Sequence, residues 1–168
     1  MADLTEDRIS RSHKVLQDRF SDRVDVPSDR RFVGFDAYRH AIDCLRPGDV
    51  AMLTAYAYCR PVQLEYAVKK GVNAFMEKDF APDPAGCRRI LAAGEAAEKK
   101  NLKIAAGLQC RHSVARQALI EKIRAGELGD ISLIRATRGF GGNFLAKPPA
   151  DIDHVAWQIR NRMHFLWA

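Results

Sequence analysis

The sequence predicts an α/β protein with a parallel sheet, and three observations carry that prediction. Apolar runs of strand length alternate with amphipathic helical segments as far as Gly126. Helical segments begin at Pro61 and Pro84, and the first of these two ends at Gly71. The composition, 47% hydrophobic and 29% charged residues, is that of a globular domain with a core of its own. Such alternation implies parallel strands joined by right-handed crossovers.

The individual elements follow from periodicity and from the turn residues between them. The predicted helices cover 5–20, 36–44, 61–70, 84–100, 113–124 and 155–167. The predicted extended segments cover 24–26, 31–33, 50–54, 72–79, 102–108 and 131–138. Thr5 and Asp83 are suitable N-caps for their helices. After Asp130 the pattern changes character, so we place a domain boundary near Gly129.

The stretch from Val72 to Asp79 is the most informative part of the chain. It is a short apolar strand that ends in a carboxylate, Glu77, and an ammonium group, Lys78. Ligands of open α/β sheets bind beyond the carboxyl ends of the strands, so this pair is placed for chemistry. The alternative is an ordinary surface ion pair at the end of a strand.

Charge and cysteine content exclude several classes of function. The net charge of +6 suggests nucleic acid, but the basic residues are scattered among acidic ones, without a basic tract, and predict no such partner. The four cysteines show no metal-binding spacing, which predicts buried, unpaired thiols and no metal site. The sequence shows no membrane-spanning run and no secretory pattern, so we expect no membrane association and a cytoplasmic location.

Six short motifs fall into one register along nearly the whole chain, at 49–54, 60–61, 75–78, 83–86, 107–112 and 126–131. In that register the chain resembles the glucose–fructose oxidoreductase/inositol dehydrogenase (Gfo/Idh/MocA) family of nicotinamide-dependent oxidoreductases. Phe75-Met76-Glu77-Lys78 is similar to the Glu-Lys-Pro signature that ends the fifth strand of that family. The resemblance implies hydride transfer between NAD or NADP and a hydroxyl group of a small sugar-like or cyclitol substrate. It also leaves a homo-oligomer open.

The resemblance also assigns roles to four residues. It places Asp3 at the end of the second strand of the family, where a carboxylate accepts hydrogen bonds from the adenosine ribose and favours NAD over NADP. A helix N-terminal charge is the alternative for Asp3. Lys78 would be the catalytic lysine beside the nicotinamide, where a cation stabilises developing alkoxide charge, and Glu77 would orient it. Thr54 would lie near the dinucleotide.

The departures from the family pattern predict an incomplete protein. The sequence contains no Gly-x-Gly-x-x-Gly loop, because it begins at the end of the second strand of the family. Ala55-Tyr56-Ala57-Tyr58 replaces a Thr-Pro-Pro-His-like loop, and Asp79 replaces the signature proline. The family's catalytic histidine would lie beyond Ala168. His112, His154 and His164 are candidate bases, but a lone histidine is usually structural or exposed, and none of them matches the motif of that residue.

Together these inferences give an incomplete Rossmann-type parallel sheet that lacks its first strand, over residues 1–129. Residues 130–168 would begin a second, α+β domain. The predicted function is a Gfo/Idh/MocA-like oxidoreductase that is inactive as this isolated chain. A non-catalytic remnant or binding module of the same family is the alternative.

Three structural expectations follow from this reading. Glu77 and Lys78 should lie at the same sheet edge as Asp3 and Thr54, because carboxyl ends of parallel strands coincide. The Lys78–Asp79 peptide bond should be trans, since a non-proline cis bond costs roughly 2.5–4 kcal/mol. The strands ending at Asp3 and at Thr54 should share no neighbour. NADH binding should then be no tighter than roughly millimolar, without turnover.

Overall fold

The computed structural model describes residues 1–137, 139 and 147–161, and contacts group the chain into two units, Met1–Ala106 and Gly107–Ala168. In the described residues, the strands are β1 (Ala2–Asp3), β2 (Phe32–Val33), β3 (Val50–Leu53), β4 (Asn73–Glu77) and β5 (Ile104–Gly107). The α-helices are α1 (Glu6–Phe20), α2 (Ala37–Asp43), α3 (Arg60–Lys70), α4 (Pro84–Lys99), α5 (Val114–Arg124) and α6 (His154–Arg160). Short 3-10 turns cover Ser21–Arg23, Ser28–Arg30 and Ala57–Cys59. The protein is therefore α/β, as predicted.

Helices begin and end where local signals place them. Pro61 lies in the first turn of α3, and Gly71, with a φ of 76°, ends that helix in the left-handed region. Asp83 caps α4 by accepting a hydrogen bond from the Gly86 amide at 2.7 Å. Thr5 occupies the N-cap position of α1, but its side chain makes no capping hydrogen bond. The helices predicted at 5–20, 36–44, 61–70, 84–100 and 113–124 are confirmed to within a residue or two.

The strands form two separate sheets. β1 pairs with β2 in parallel, with Ala2 opposite Phe32. β3 pairs with β4 in parallel, with Leu53 opposite Met76, and β4 lies between β3 and β5. β1 and β3 share no neighbouring strand within the described part of the chain, which confirms the expected interruption between them.

The core lies between α3, α4 and one face of the three-stranded sheet. Its most buried side chains, each no more than 2% exposed, are Leu64 and Ala67 of α3, Val72, Ala74 and Ala97. β3 alternates buried and exposed residues, so Ala51 and Leu53 face this core, whereas Val50 and Met52 lie on the opposite, open face. The sheet is thus covered by helices on one face along β3.

Several expectations about the elements are wrong. Residues 24–26 and 131–137 form no strand, and Arg138 lies outside the described residues. Leu133 and Ile134 are 80% and 81% exposed, and no strand in the described part of Gly107–Ala168 pairs with them. A strand needs a partner for its backbone groups, and the alternating pattern alone does not provide one.

The cysteines also differ from expectation. All four are unpaired, as predicted, but Cys44, Cys87 and Cys110 are exposed and only Cys59 is partly buried. The spacing of the cysteines does not decide burial, because Cys44 caps the end of α2 and Cys110 lies in a turn before α5, both positions open to solvent.

The second unit contains α5, α6 and the connecting segments. The predicted helix at 155–167 is confirmed for the part that α6 covers, and residues 162–168 lie outside the described residues. The domain boundary near Gly129 stays a prediction. No helix in the described ranges has both the length and the apolar character needed to cross a membrane.

Candidate functional site

A cavity of about 380 Å³ lies in the first unit at the carboxyl ends of β1, β2 and β3. It is bounded by the residues that follow each of these strands and by the first turn of α3. The polar and aromatic residues lining it are Asp3, Arg8, Phe35, Tyr38, Thr54, Tyr56, Tyr58, Cys59 and Gln63. The cavity therefore brings together Asp3 and Thr54, two of the residues that sequence predicted as cofactor contacts.

Asp3 is held in place by its own backbone. Its carboxylate accepts a hydrogen bond from the Leu4 amide at 2.7 Å, which leaves further lone pairs free to accept others. Arg8 lies in the first helical turns of α1 and lines the same cavity. One acceptor group and one cation thus stand at this end of the cavity.

The wall that Tyr58 and Cys59 contribute to the cavity is uncharged at neutral pH. Burial, followed by the neighbouring Cys59, raises the pKa of Tyr58 to about 12, and burial also raises the pKa of the Cys59 thiol. Tyr58 and Cys59 both line the cavity as neutral groups. Such a wall suits an uncharged ring better than a phosphate.

Glu77 and Lys78 lie at the same sheet edge as Thr54, as expected from the parallel register that sets Leu53 opposite Met76. The side chain of Lys78 is exposed, and neither residue belongs to the described lining of the cavity. The Glu77 carboxylate accepts a hydrogen bond from the backbone amide of Lys78 at 3.2 Å, so the two are linked through the backbone. The structure therefore brings Asp3 and Thr54 into one cavity but leaves Lys78 outside it.

Arg60 connects the ends of β3 and β4 through hydrogen bonds. It is completely buried at the start of α3, and its guanidinium donates hydrogen bonds to the carbonyl oxygens of Ala55, Glu77 and Asp79. Ala55 follows β3, whereas Glu77 and Asp79 end β4, so one side chain connects both loops. Burial lowers the pKa of Arg60, and the carboxylates of Glu77 and Asp79 oppose that effect.

Sequence reasoning did not identify Arg60 as part of this region. The available signal is its position: it is the cation that separates the uncharged run 55–59 from Pro61 at the start of a buried helix. Charged residues are seldom fully buried unless their donors are hydrogen-bonded. A cation at this position therefore predicts carbonyl partners nearby.

The expectation of a trans bond between Lys78 and Asp79 is wrong, because the bond is cis. Arg60 donates to the carbonyl oxygens of Glu77 and of Asp79, on either side of Lys78. The expectation of a trans bond rested on the local sequence alone. That sequence does not show this contact, which is made by a residue at the start of α3.

No histidine belongs to the described lining of the cavity. His112 is exposed, and His154 lies beside Gln158, with 2.9 Å between the ring nitrogen and the amide nitrogen. His164 lies outside the described residues. Within the described ranges, no group of three or more His, Cys, Asp or Glu residues is placed to hold a metal ion.

The cavity lining combines aromatic rings with one carboxylate and one guanidinium group at the carboxyl ends of the strands. A scan against protein-family models, a search of curated proteins and a search of solved structures each find no match to this chain. The fold that the structure supports is therefore α/β with parallel sheets of two and three strands.

Proposed function

We propose that the chain belongs to a nicotinamide-dependent oxidoreductase of the Gfo/Idh/MocA type. Its reaction would be hydride transfer between NAD(P) and a sugar or cyclitol hydroxyl. The observation that carries the proposal is the cavity that joins Asp3 to Thr54 across the carboxyl ends of β1 and β3. Ligands of open α/β sheets bind at such ends, where the sheet is interrupted or reverses its order.

The arrangement of the strands supports an incomplete Rossmann-type sheet. A dinucleotide-binding sheet has the order 3-2-1-4-5-6. The two sheets of this chain, β2-β1 and β3-β4-β5, correspond to 3-2 and 4-5-6 with the first strand left out. In this proposal residues 1–129 are the dinucleotide-binding part, and residues 130–168 begin an α+β domain for substrate.

The cavity suits the adenosine half of a dinucleotide. The Asp3 carboxylate would accept hydrogen bonds from the ribose hydroxyls and would repel a 2′-phosphate, which favours NAD over NADP. Phe35 is 69% exposed at the rim and offers a ring face on which adenine can stack. Thr54 would contact the dinucleotide from the end of β3.

The nicotinamide half has less support. Lys78 would stabilise developing alkoxide charge on the substrate, with Glu77 holding its backbone amide. Since Lys78 is exposed and the sequence has no Gly-x-Gly-x-x-Gly loop to hold the pyrophosphate, we expect NADH to bind no tighter than roughly millimolar, about −4 kcal/mol. No dehydrogenase turnover is expected from this chain by itself.

A non-catalytic binding module of the same family is the second candidate. The position of Lys78 outside the described cavity lining favours it, because a module that binds only the adenosine end needs no lysine there. The two candidates therefore differ in whether the nicotinamide end of the ligand approaches residues 77–80.

An NMR titration of the labelled chain with NADH tests both points. The adenosine site predicts shifts of the amides at 3–4 and 54–55, with a dissociation constant near millimolar and weaker binding of NADPH by about fivefold. The substitution Asp3→Asn should remove that preference, whereas Asp29→Asn, an exposed aspartate outside the described cavity lining, should leave it unchanged.

The other outcomes of the titration either overturn the site or separate the two candidates. NADH shifts confined to other residues would overturn the site, and a micromolar constant would require a phosphate cradle that the described residues lack. Shifts at 77–80 support the oxidoreductase, and their absence at saturation supports the binding module. Measurable oxidation of a sugar or cyclitol by this chain would contradict the expected inactivity.

A further inference from the structure

Two loops at the carboxyl edge of the three-stranded sheet carry residues that the proposed site would use. The cavity loop, residues 54–59, follows β3, and both Thr54 and Cys59 line the cavity. The Lys78 loop, residues 77–79, begins where β4 ends. Because Lys78 lies outside the described lining, its position relative to Thr54 is set by contacts other than those of the cavity wall.

Arg60 contacts both loops. Its Nη2 donates to the backbone carbonyl of the residue after Thr54. Its Nη1 donates to the carbonyls of Glu77 and Asp79, the two neighbours of Lys78. One planar and rigid group therefore fixes the backbone beside Thr54 and on both sides of Lys78.

Arg60 acts on the site without reaching into it. Its exposure is 0%, and it does not belong to the described lining of the cavity, although Cys59 before it does. All three hydrogen bonds go to backbone carbonyls, so they fix the path of the chain and use no side chain of Thr54 or Lys78. Such a residue positions the groups that meet a ligand and is not one of them.

The opposite edge of the same sheet shows that connecting the strands requires no buried charge. There the side-chain amide of Asn73 donates to the carbonyls of Gly48 and Asp49 at 3.2 Å. Its oxygen accepts from the Lys103 amide at 2.9 Å, so one neutral side chain connects the amino ends of all three strands. A buried cation has a desolvation cost that stability alone seldom offsets, which points to a fixed geometry as its contribution at the carboxyl edge.

We propose that Arg60 is a positioning residue that makes the cavity loop and the Lys78 loop open and close as one unit. The inference rests on the proposed function, because it gives the adenosine end and the nicotinamide end of a dinucleotide a common support. A ligand that holds the cavity loop should then also hold the Lys78 loop, although it touches only the first of them.

Two backbone amides report on the two loops in hydrogen exchange. The Cys59 amide donates to the Tyr56 carbonyl at 2.9 Å and reports on the cavity loop. The Lys78 amide donates to the Glu77 carboxylate at 3.2 Å and reports on the Lys78 loop. In the unchanged chain the two amides should show the same free energy of opening, because one event exposes both.

A matched pair of arginine substitutions tests the coupling without ligand. Arg60→Lys keeps the charge but loses the planar fork, so the Cys59 and Lys78 amides should both exchange at least about tenfold faster. Arg89 provides the control, because its guanidinium bonds to Glu65 at 2.7 and 2.5 Å and neither residue belongs to either loop. Arg89→Lys should leave both exchange rates within about twofold of the unchanged chain.

Adenosine tests transmission between the loops, since it has no nicotinamide that could touch Lys78. At twice its dissociation constant it should slow exchange of the Cys59 and Lys78 amides by the same factor, about threefold. The chemical shifts at 77–80 should stay unchanged, because the Lys78 loop keeps its native position. In Arg60→Lys adenosine should slow only the Cys59 amide, a change that a merely structural role of Arg60 would not produce.

The contradicting results are separate from a failure of the ligand site. Faster exchange of only one of the two amides in Arg60→Lys, or slowing by adenosine of the Cys59 amide alone in the unchanged chain, would overturn the coupling. Adenosine that shifts neither 3–4 nor 54–55 would overturn the adenosine site, and the comparison without ligand then decides the coupling. If Arg60→Lys does not fold, native-state exchange of the unchanged chain in urea decides it, and unequal opening free energies of the two amides would overturn it.

Discussion

The three-stranded sheet β3-β4-β5 and the two-stranded sheet β1-β2 use the same parallel pairing but differ in what holds them. The larger sheet rests on the core of α3 and α4, with Leu64 and Ala67 fully buried against it. The smaller sheet has strands of two residues, none of which is buried, and it contacts α1 and α2, whose buried side chains are Ile9, Ala37 and Ile42. The two sheets therefore share the same kind of backbone pairing but differ in how far their strand residues are buried.

The polar contacts show the same difference. In the larger sheet, Arg60 is fully buried and bonds to three carbonyl groups of two strand-end loops. In the smaller sheet, Arg31 donates to the Val26 carbonyl at 2.9 Å and contacts His13 at 3.0 Å from a partly exposed position. The comparison indicates that the larger sheet is the stable part of the first unit and the smaller one is held mainly by edge contacts.

The largest expected effect is the loss of Arg60. In Arg60→Met the three carbonyl groups lose their buried donor, so we expect the free energy of unfolding to fall by at least about 3 kcal/mol. Arg31→Met removes one such bond at a partly exposed position and should cost about 1 kcal/mol. Urea unfolding followed by far-UV circular dichroism measures both, and equal losses would contradict the difference between the sheets.

The next effect tests how closely the first turn of α4 packs against the segment that precedes it. A Cβ atom on Gly86 would lie 2.8 Å from the Cβ of Ala81, so Gly86→Ala should destabilise by about 1–3 kcal/mol. Gly94, in the same helix, has open space at its Cβ position, and Gly94→Ala should stabilise by about 0.5–1 kcal/mol. The two variants unfolding at the same urea concentration would contradict this packing.

A smaller effect concerns pH at the wall of the cavity. Folding raises the pKa of Tyr58 from 10 to about 12, so the stability that its neutral form contributes is present below pH 10 and lost as the pH rises to 12. We expect a loss of the order of 1 kcal/mol across that range, discounted for partial exposure. Tyr58→Phe should lose less over the same range, and parallel pH profiles for the two proteins would contradict the assignment.

The sequence predicts the elements that local chemistry decides. Pro61 with Gly71, and Asp83 with Pro84, set the bounds of α3 and α4 because their effects act within a few residues. The interruption between β1 and β3 has another source, because it was expected from the strand order that the family resemblance implies.

The sequence does not predict what distant contacts decide. The segment 131–137 alternates like a strand but has no partner among the described residues of its unit. The three-carbonyl contact of Arg60 joins residues up to nineteen positions away and leaves no local pattern. Likewise, the position of Lys78 outside the described cavity lining depends on the path of the chain after β4.

The central claim is that β3 has a free edge on the side away from β4 among the described residues, and native-state hydrogen exchange tests it most directly. The amides of Ala51 and Leu53, directed toward β4, should exchange at least about tenfold more slowly than those of Val50 and Met52. An alternating pattern of this kind along Val50–Leu53 is the predicted result. Equal protection of all four amides would contradict it, because β3 would then have a strand on each side.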